Sequence, residues 1–246
     1  MKSGILFLLL LPILCCTQCR KKPRAATHPE LRKIHTHTQN WDVHSYVYTY
    51  SYGADGRLSR LDVNNGAYSL FAYSGNLIIE QDFDSTNTQT ANHSYTLNSN
   101  NLIDTAIHIS NGIYSFQKRL YDGNGHCVEI RNYDNSNHLT TRETGNLSGN
   151  NVLSWKTFNP LGNLSAEWDY TYDTRFRNST GNYNTGQAYF GNSDANVEAT
   201  AGNIIAGGAS YNYHYNYSFN SDSTISTMYT YLDNNSLLQS DYYTFY

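Results

Sequence analysis

Charge is scarce in this sequence. Asp, Glu, Lys and Arg together make up 15% of its 246 residues. Cysteine is scarcer still, with four residues, three of them crowded at positions 15, 16 and 19. Cys127 therefore stands alone in the rest of the chain, no internal disulfide can form there, and stability must come from strand packing. Cys127 follows a turn and reads as a small apolar residue. Beyond the N-terminus no long segment repeats apolar residues at three-and-four spacing, which excludes a helical protein. The sole long hydrophobic run, Ile5 to Leu14, falls short of the about 20 residues a membrane-spanning helix needs. Gly-x-Ser-x-Gly, the phosphate-binding loop and His-Glu-x-x-His are all missing, so the common hydrolase and nucleotide chemistries have no signature here.

Tyrosine is abundant, at 23 residues, and it is ordered. Tyr46-Val-Tyr-Thr-Tyr-Ser-Tyr52 places four rings at alternate positions, hence on one face of an extended strand. Tyr211-Asn-Tyr-His-Tyr-Asn-Tyr217 repeats the arrangement, and Met228–Leu232 and Tyr242–Tyr246 complete it. Between these runs, turn residues followed by an apolar residue recur at Leu58, Leu77, Leu102, Val128, Leu139, Val152, Leu164 and Leu237. Successive spacings from Leu58 to Leu164 are 19, 25, 26, 11, 13 and 12 residues, the long ones about twice the short ones. Asn65-Gly66 and Asn111-Gly112 fall inside long intervals and supply the missing reversals. Regular alternation of strand and turn predicts an all-β antiparallel meander of consecutive hairpins over 41–246, curved into an open or partly closed barrel-like sheet. Residues 173–206 break the alternation and read as an irregular insertion.

Lys2, the run Ile5–Leu14 and the cysteines after it read as an export signal over 1–18. Cys19-Arg-Lys-Lys22 resembles the lipobox and Cys-Lys-Lys start of Bacteroidota lipoproteins, which implies lipid anchoring at Cys19; Ile13-Leu-Cys-Cys16 makes Cys16 the alternative anchor. Residues 19–40 then read as a basic tether. Residues 1–34 hold seven Lys/Arg and one acid, Glu30, leaving nine basic and nineteen acidic residues beyond. A basic tether suits anionic headgroups, and an acidic domain is a poor nucleic-acid binder.

Tyr50-Ser-Tyr-Gly-Ala-Asp-Gly-Arg-Leu58, with looser copies at Tyr121–His126 and Phe158–Leu164, resembles the YD repeat of RHS-type and teneurin-type proteins. The resemblance to small YD-like lipoproteins runs from about Trp41 onward. It implies a β architecture and says little about activity.

Chemistry is thinly represented. His35 and His37 could share a strand face, without a third ligand nearby to hold a metal. Asp82 with Asp84, and Glu167 with Asp169, are carboxylate pairs of the kind a glycoside hydrolase uses, and they read as surface charge. Asp122-Gly-Asn-Gly and Asp134-Asn-Ser-Asn read as turns rather than calcium loops. No cofactor is expected. The tyrosine ladders either fill the core or form a ligand face for a glycan or peptide, with Trp168, Tyr170 and Tyr172 facing Tyr211, Tyr213 and Tyr215. The expectation is a non-catalytic binding or structural module of the cell envelope. It would be an outer membrane lipoprotein with glycan or envelope-protein partners. An outer-membrane β-barrel is the rival class, and the absence of an alternating apolar band weighs against it.

Overall fold

The structure, a computed structural model, describes residues 32–179, 196–205 and 210–246. Every regular element in them is a strand. The first eight are β1 (Ile34–Trp41), β2 (His44–Tyr52), β3 (Leu58–Val63), β4 (Tyr68–Ser74), β5 (Leu77–Phe83), β6 (Gln89–Leu97), β7 (Ile103–Ser110) and β8 (Ile113–Tyr121). The others are β9 (Cys127–Tyr133), β10 (Leu139–Ser148), β11 (Asn151–Phe158), β12 (Leu164–Arg177), β13 (Asn196–Ile205), β14 (Ser210–Phe219), β15 (Ile225–Leu232) and β16 (Leu237–Phe245). Each pairs antiparallel with its neighbours in sequence, and β1 pairs with β16, so the meander closes completely into a barrel.

The turns explain the regular reversals. In the loops opened by Asp84, Asn98, Asp122, Asp134 and Asn159, one side-chain oxygen accepts hydrogen bonds from the backbone N–H groups two and four residues on. The residue three along has positive φ: Asn87, Asn101, Gly125, Asn137 or Gly162. Such residues tolerate the left-handed conformation and bond their own backbone, which fixes the loop without help from the barrel. Asp122 and Asp134 are thus turn residues. Asn65-Gly66 and Asn111-Gly112 also reverse the chain as expected.

Odd-numbered strands all start at one end of the barrel. Ile34, Leu58, Ile78, Ile103, Cys127 and Ile225 stand at the start of six of these eight strands, and none is more than 3% exposed. They mark this end, the floor, with apolar burial, Ile34 and Leu58 in one buried cluster and Ile78 and Ile103 in another, and each buried side chain stabilises by about 1.5–3 kcal/mol. Burial pushes the Cys127 thiol pKa up. At the opposite end, the mouth, Trp41, Val43, Ile113, Leu161 and Leu237 are exposed. Tyrosines reinforce the floor with their hydroxyls. Tyr52 donates to the Ile34 carbonyl and Tyr73 to the Leu58 carbonyl, each at 2.8 Å, and Tyr246 donates to the Tyr50 carbonyl at 2.9 Å.

Two boundaries differ from the sequence expectation. The tether was expected to reach residue 40, but Ile34–Trp41 is the strand that closes the barrel. Its alternation hides because both faces are mostly polar: Thr36 and Thr38 face outward, while His37 and Gln39 face inward, where Asp241 receives His37. The insertion was expected to span 173–206, but β12 continues to Arg177 and β13 covers Asn196–Ile205. Inward positions of β13 carry Ala201 and Asn203, small side chains wedged between the Tyr170/Trp168 and Tyr213/Tyr211 positions of its neighbours, so the hydrophobic period is invisible. Expectations for the signal, Cys16, Cys19 and the first part of the tether lie outside the described residues, as does the rest of the insertion.

One close approach gives a local test. A Cβ at Gly145 would lie 2.3 and 2.6 Å from ring carbons of Trp155, its partner across β10 and β11. The indole is pinned by donating Nε1–H to Glu143 Oε2 at 2.9 Å. Gly145→Ala is therefore expected to destabilise the barrel by about 1–3 kcal/mol, read from its urea midpoint; an unchanged midpoint would mean the ring is free to swing away.

Candidate functional site: the walls of the lumen

Register fixes which side chains point inward. Starting from the buried Tyr50 and Leu58, cross-strand partners pass the inward face from strand to strand around the barrel. Tyr46, Tyr48, Tyr50 and Tyr52 lie inward, and so do Trp168, Tyr170 and Tyr172 on β12 and Tyr211, Tyr213 and Tyr215 on β14. The two halves of the sequence-derived ligand face are thus on one interior wall, with β13 between them.

The structure does not treat these six residues alike. Trp168 stacks on Tyr170 at 6.4 Å and on Tyr213 at 6.1 Å between centroids. Trp168, Tyr213 and Tyr215 line a cavity of about 450 Å³, together with Tyr217, Glu198, Met228, Thr230 and Gln239. Tyr172 instead donates to the Val152 carbonyl at 2.8 Å, and Tyr211 is largely exposed toward the mouth. Tyr170 lines a separate pocket of about 420 Å³ with Asp169, Thr171 and Asn212. Burial pushes the Tyr170 phenol up to about 12, and Tyr215 and Tyr217 rise for the same reason, so all three stay protonated near neutral pH. Glu198 and Gln239 were not singled out from the sequence. Glu198 sits in the run read as irregular, and Gln239 carries no motif.

The opposite wall holds a polar chain. Ser69 donates to Asp82 Oδ1 at 2.6 Å, Asp82 Oδ2 meets His93 Nε2 at 3.0 Å, and His93 Nδ1 meets His108 Nδ1 at 2.8 Å. Burial disfavours the Asp82 carboxylate, but hydrogen bonds from His93 and Ser69 outweigh it and hold the pKa below the usual range. The same carboxylate raises His93, while burial and the adjoining His93 charge lower His108. A single proton lies between the two Nδ1 atoms, and of the two rings His93, beside Asp82, is the one in which the charged form is favoured. Next to them Tyr95 donates to Glu80 at 2.6 Å, and burial raises the Glu80 pKa.

The other sequence candidates are dispersed. His37 stacks on Tyr243 at 4.6 Å and meets Asp241, whereas His35 packs on Tyr246, so the pair does not converge. Asp84 is a turn acceptor while Asp82 faces the lumen. Glu167 faces outward and pairs with Lys156 at 2.9 Å. Among the described residues no three His, Cys, Asp or Glu side chains are grouped to hold a metal.

Closure, strand number and connectivity can now be set beside known proteins. The fold is similar to that of porin-like proteins. One, from Bacteroides vulgatus, has a TM-score of 0.64 at 11% identity over 87% of this chain and 99% of its own. Another, from Bacteroides uniformis, gives 0.63 at 12% identity over 87% and 96%. At such identities the likeness is one of architecture. No family model matches the chain, and no curated protein matches it in sequence.

The outer wall is mixed. Leu70, Ile79, Ile107, Ile109 and Phe116 face outward on β4 to β8. Outward positions also carry paired charges: Arg60 with Asp62, Arg131 with Glu129, and Lys156 with Glu167.

Proposed function

We propose an exported barrel tethered to the outer membrane by lipid on Cys19, with Cys16 the alternative, that serves the envelope as a non-catalytic binding or structural module. Its lumen is a receptacle walled by aromatic and hydrogen-bonding side chains. The observation that carries this reading is the set of ion pairs on the outward face. A spanning barrel needs an outward apolar band about 25 Å tall, and each Lys or Arg at the bilayer midplane would cost about 2–4 kcal/mol. Arg60, Arg131 and Lys156 lie within their strands, where such a band would run. Several strands are also short, β3 having six residues and β4, β5 and β9 seven each, against about 9–11 for a spanning strand.

A second reading, a pore in the outer membrane, is favoured by the outward apolar residues of β4 to β8 and by the likeness of the fold to the two porin-like proteins. One fractionation experiment separates them. The wild-type protein is expected in the membrane pellet through high-salt and alkaline carbonate washes, and the Cys16→Ala/Cys19→Ala double variant in the soluble fraction. A double variant that stays in the carbonate-washed pellet would establish a spanning barrel and sink the tethered one.

A further inference from the structure

The lumen is acidic, and one of its acids has no hydrogen-bond or ion-pair partner among the described residues. Glu80, Asp82, Glu143, Glu198 and Asp241 occupy inward positions among the described residues, against the single guanidinium of Arg119. Four of these carboxylates are engaged. Glu80 takes the Tyr95 hydroxyl, and Asp82 takes Ser69 and His93. Glu143 takes Asn132 and Trp155, and Asp241 takes His37 and Gln239. Glu198 receives no hydrogen bond and no ion pair from any described residue.

Its surroundings are aromatic. Glu198 lies across from Tyr172 in the sheet and shares the 450 Å³ cavity with Trp168, Tyr213, Tyr215 and Tyr217. Burial raises its pKa, and its charge in turn raises those of Tyr170, Tyr172, Tyr215 and Tyr217. Arg175 and Asp173 border a smaller adjoining cavity with Glu198, but the Arg175 guanidinium is held by Asp173 through contacts of 2.6 and 2.9 Å. No described cation is left to neutralise Glu198.

A carboxylate removed from water without a counter-charge is costly, and aromatic faces attract cations. A hard metal ion wants six or more oxygen ligands, with carboxylates prominent among them, and Glu198 is the one carboxylate among the described lining residues of this cavity. A neutral sugar could stack on the rings and would leave the charge uncancelled. An organic ammonium ion answers both features. We propose that this cavity binds a small alkylammonium cation of about choline size, with Glu198 as its counter-charge and Trp168, Tyr215 and Tyr217 as its aromatic wall. The proposal rests on the receptacle reading above and gives that receptacle a ligand class.

Calorimetric titration of the whole protein with choline, and with its uncharged isostere 3,3-dimethylbutan-1-ol, tests it. Choline is expected to bind at least about tenfold more tightly than the isostere, a difference of about 1.4 kcal/mol. Glu198→Gln and Tyr217→Leu are each expected to weaken choline at least about tenfold, while Glu167→Gln, an acid on the outer wall, leaves it unchanged. Because Glu198→Gln removes a half-buried charge that no described residue compensates, the unliganded variant is expected to melt above the wild type. Absence of choline binding at millimolar concentration, equal binding of the isostere, or full affinity in Glu198→Gln would overturn the site. Those results leave the fractionation experiment untouched, so failure of the cation site and failure of the tethered-barrel reading are told apart.

Discussion

Leu58→Ala is expected to lower the unfolding free energy by about 3 kcal/mol, whereas Leu237→Ala changes it by less than about 0.5 kcal/mol. Both leucines follow a turn and open a strand, and in the sequence they are equivalent. The barrel separates them. Leu58 starts an odd-numbered strand at the floor, is fully buried, and packs among Ile34, Tyr50 and Phe71. Its truncation leaves a void that a closed sheet cannot collapse to fill. Leu237 starts an even-numbered strand at the mouth and is 55% exposed. Urea denaturation of the unlipidated double-cysteine variant measures both changes. Equal effects at the two sites would refute the division into floor and mouth.

A comparable loss is expected from Asp241→Ala, about 3–5 kcal/mol. Asp241 is 1% exposed on β16, and its carboxylate lies 2.8 Å from His37 Nε2 on β1 while also accepting from Gln239. It therefore ties the first strand to the last across the line where the barrel closes. Alanine would leave the His37 ring and the Gln239 amide in a buried site without their acceptor. Asp241→Asn keeps an oxygen in place and should lose roughly a third as much, since a neutral acceptor still serves one donor. An alanine variant as stable as the wild type would mean the seam is held by the backbone ladder alone.

The meander was legible because its signals are local. Asp55-Gly56, Asn98, Asp122 and their equivalents set reversals through their own backbone preferences, and Tyr46 to Tyr52 advertises a strand by alternation alone. Closure was not legible. β1 alternates one polar side chain with another, Thr36 against His37, and only the partner Asp241, about two hundred residues away, distinguishes the faces. The same blindness affected β13, whose inward Ala201 and Asn203 make sense only beside the large rings on either side. For the site, aromatic content led to Trp168, Tyr213 and Tyr215, which do meet in one cavity. It could not separate them from Tyr172, whose hydroxyl is spent on a carbonyl. Glu198 was missed because what marks it is the absence of a partner among the described residues, a property of the folded lumen that no residue spacing encodes.

The seam between β1 and β16 also bears on how the chain reaches this form. Thr36 and Thr244 meet across 208 positions of sequence, so that contact closes a very long loop and contributes late, which slows assembly. Until it forms, the growing sheet presents two open borders, one bounded by β1. A second molecule's β16 could satisfy that border equally well, so crowding nascent chains would favour exchange of the first strand between copies over completion of a single ring.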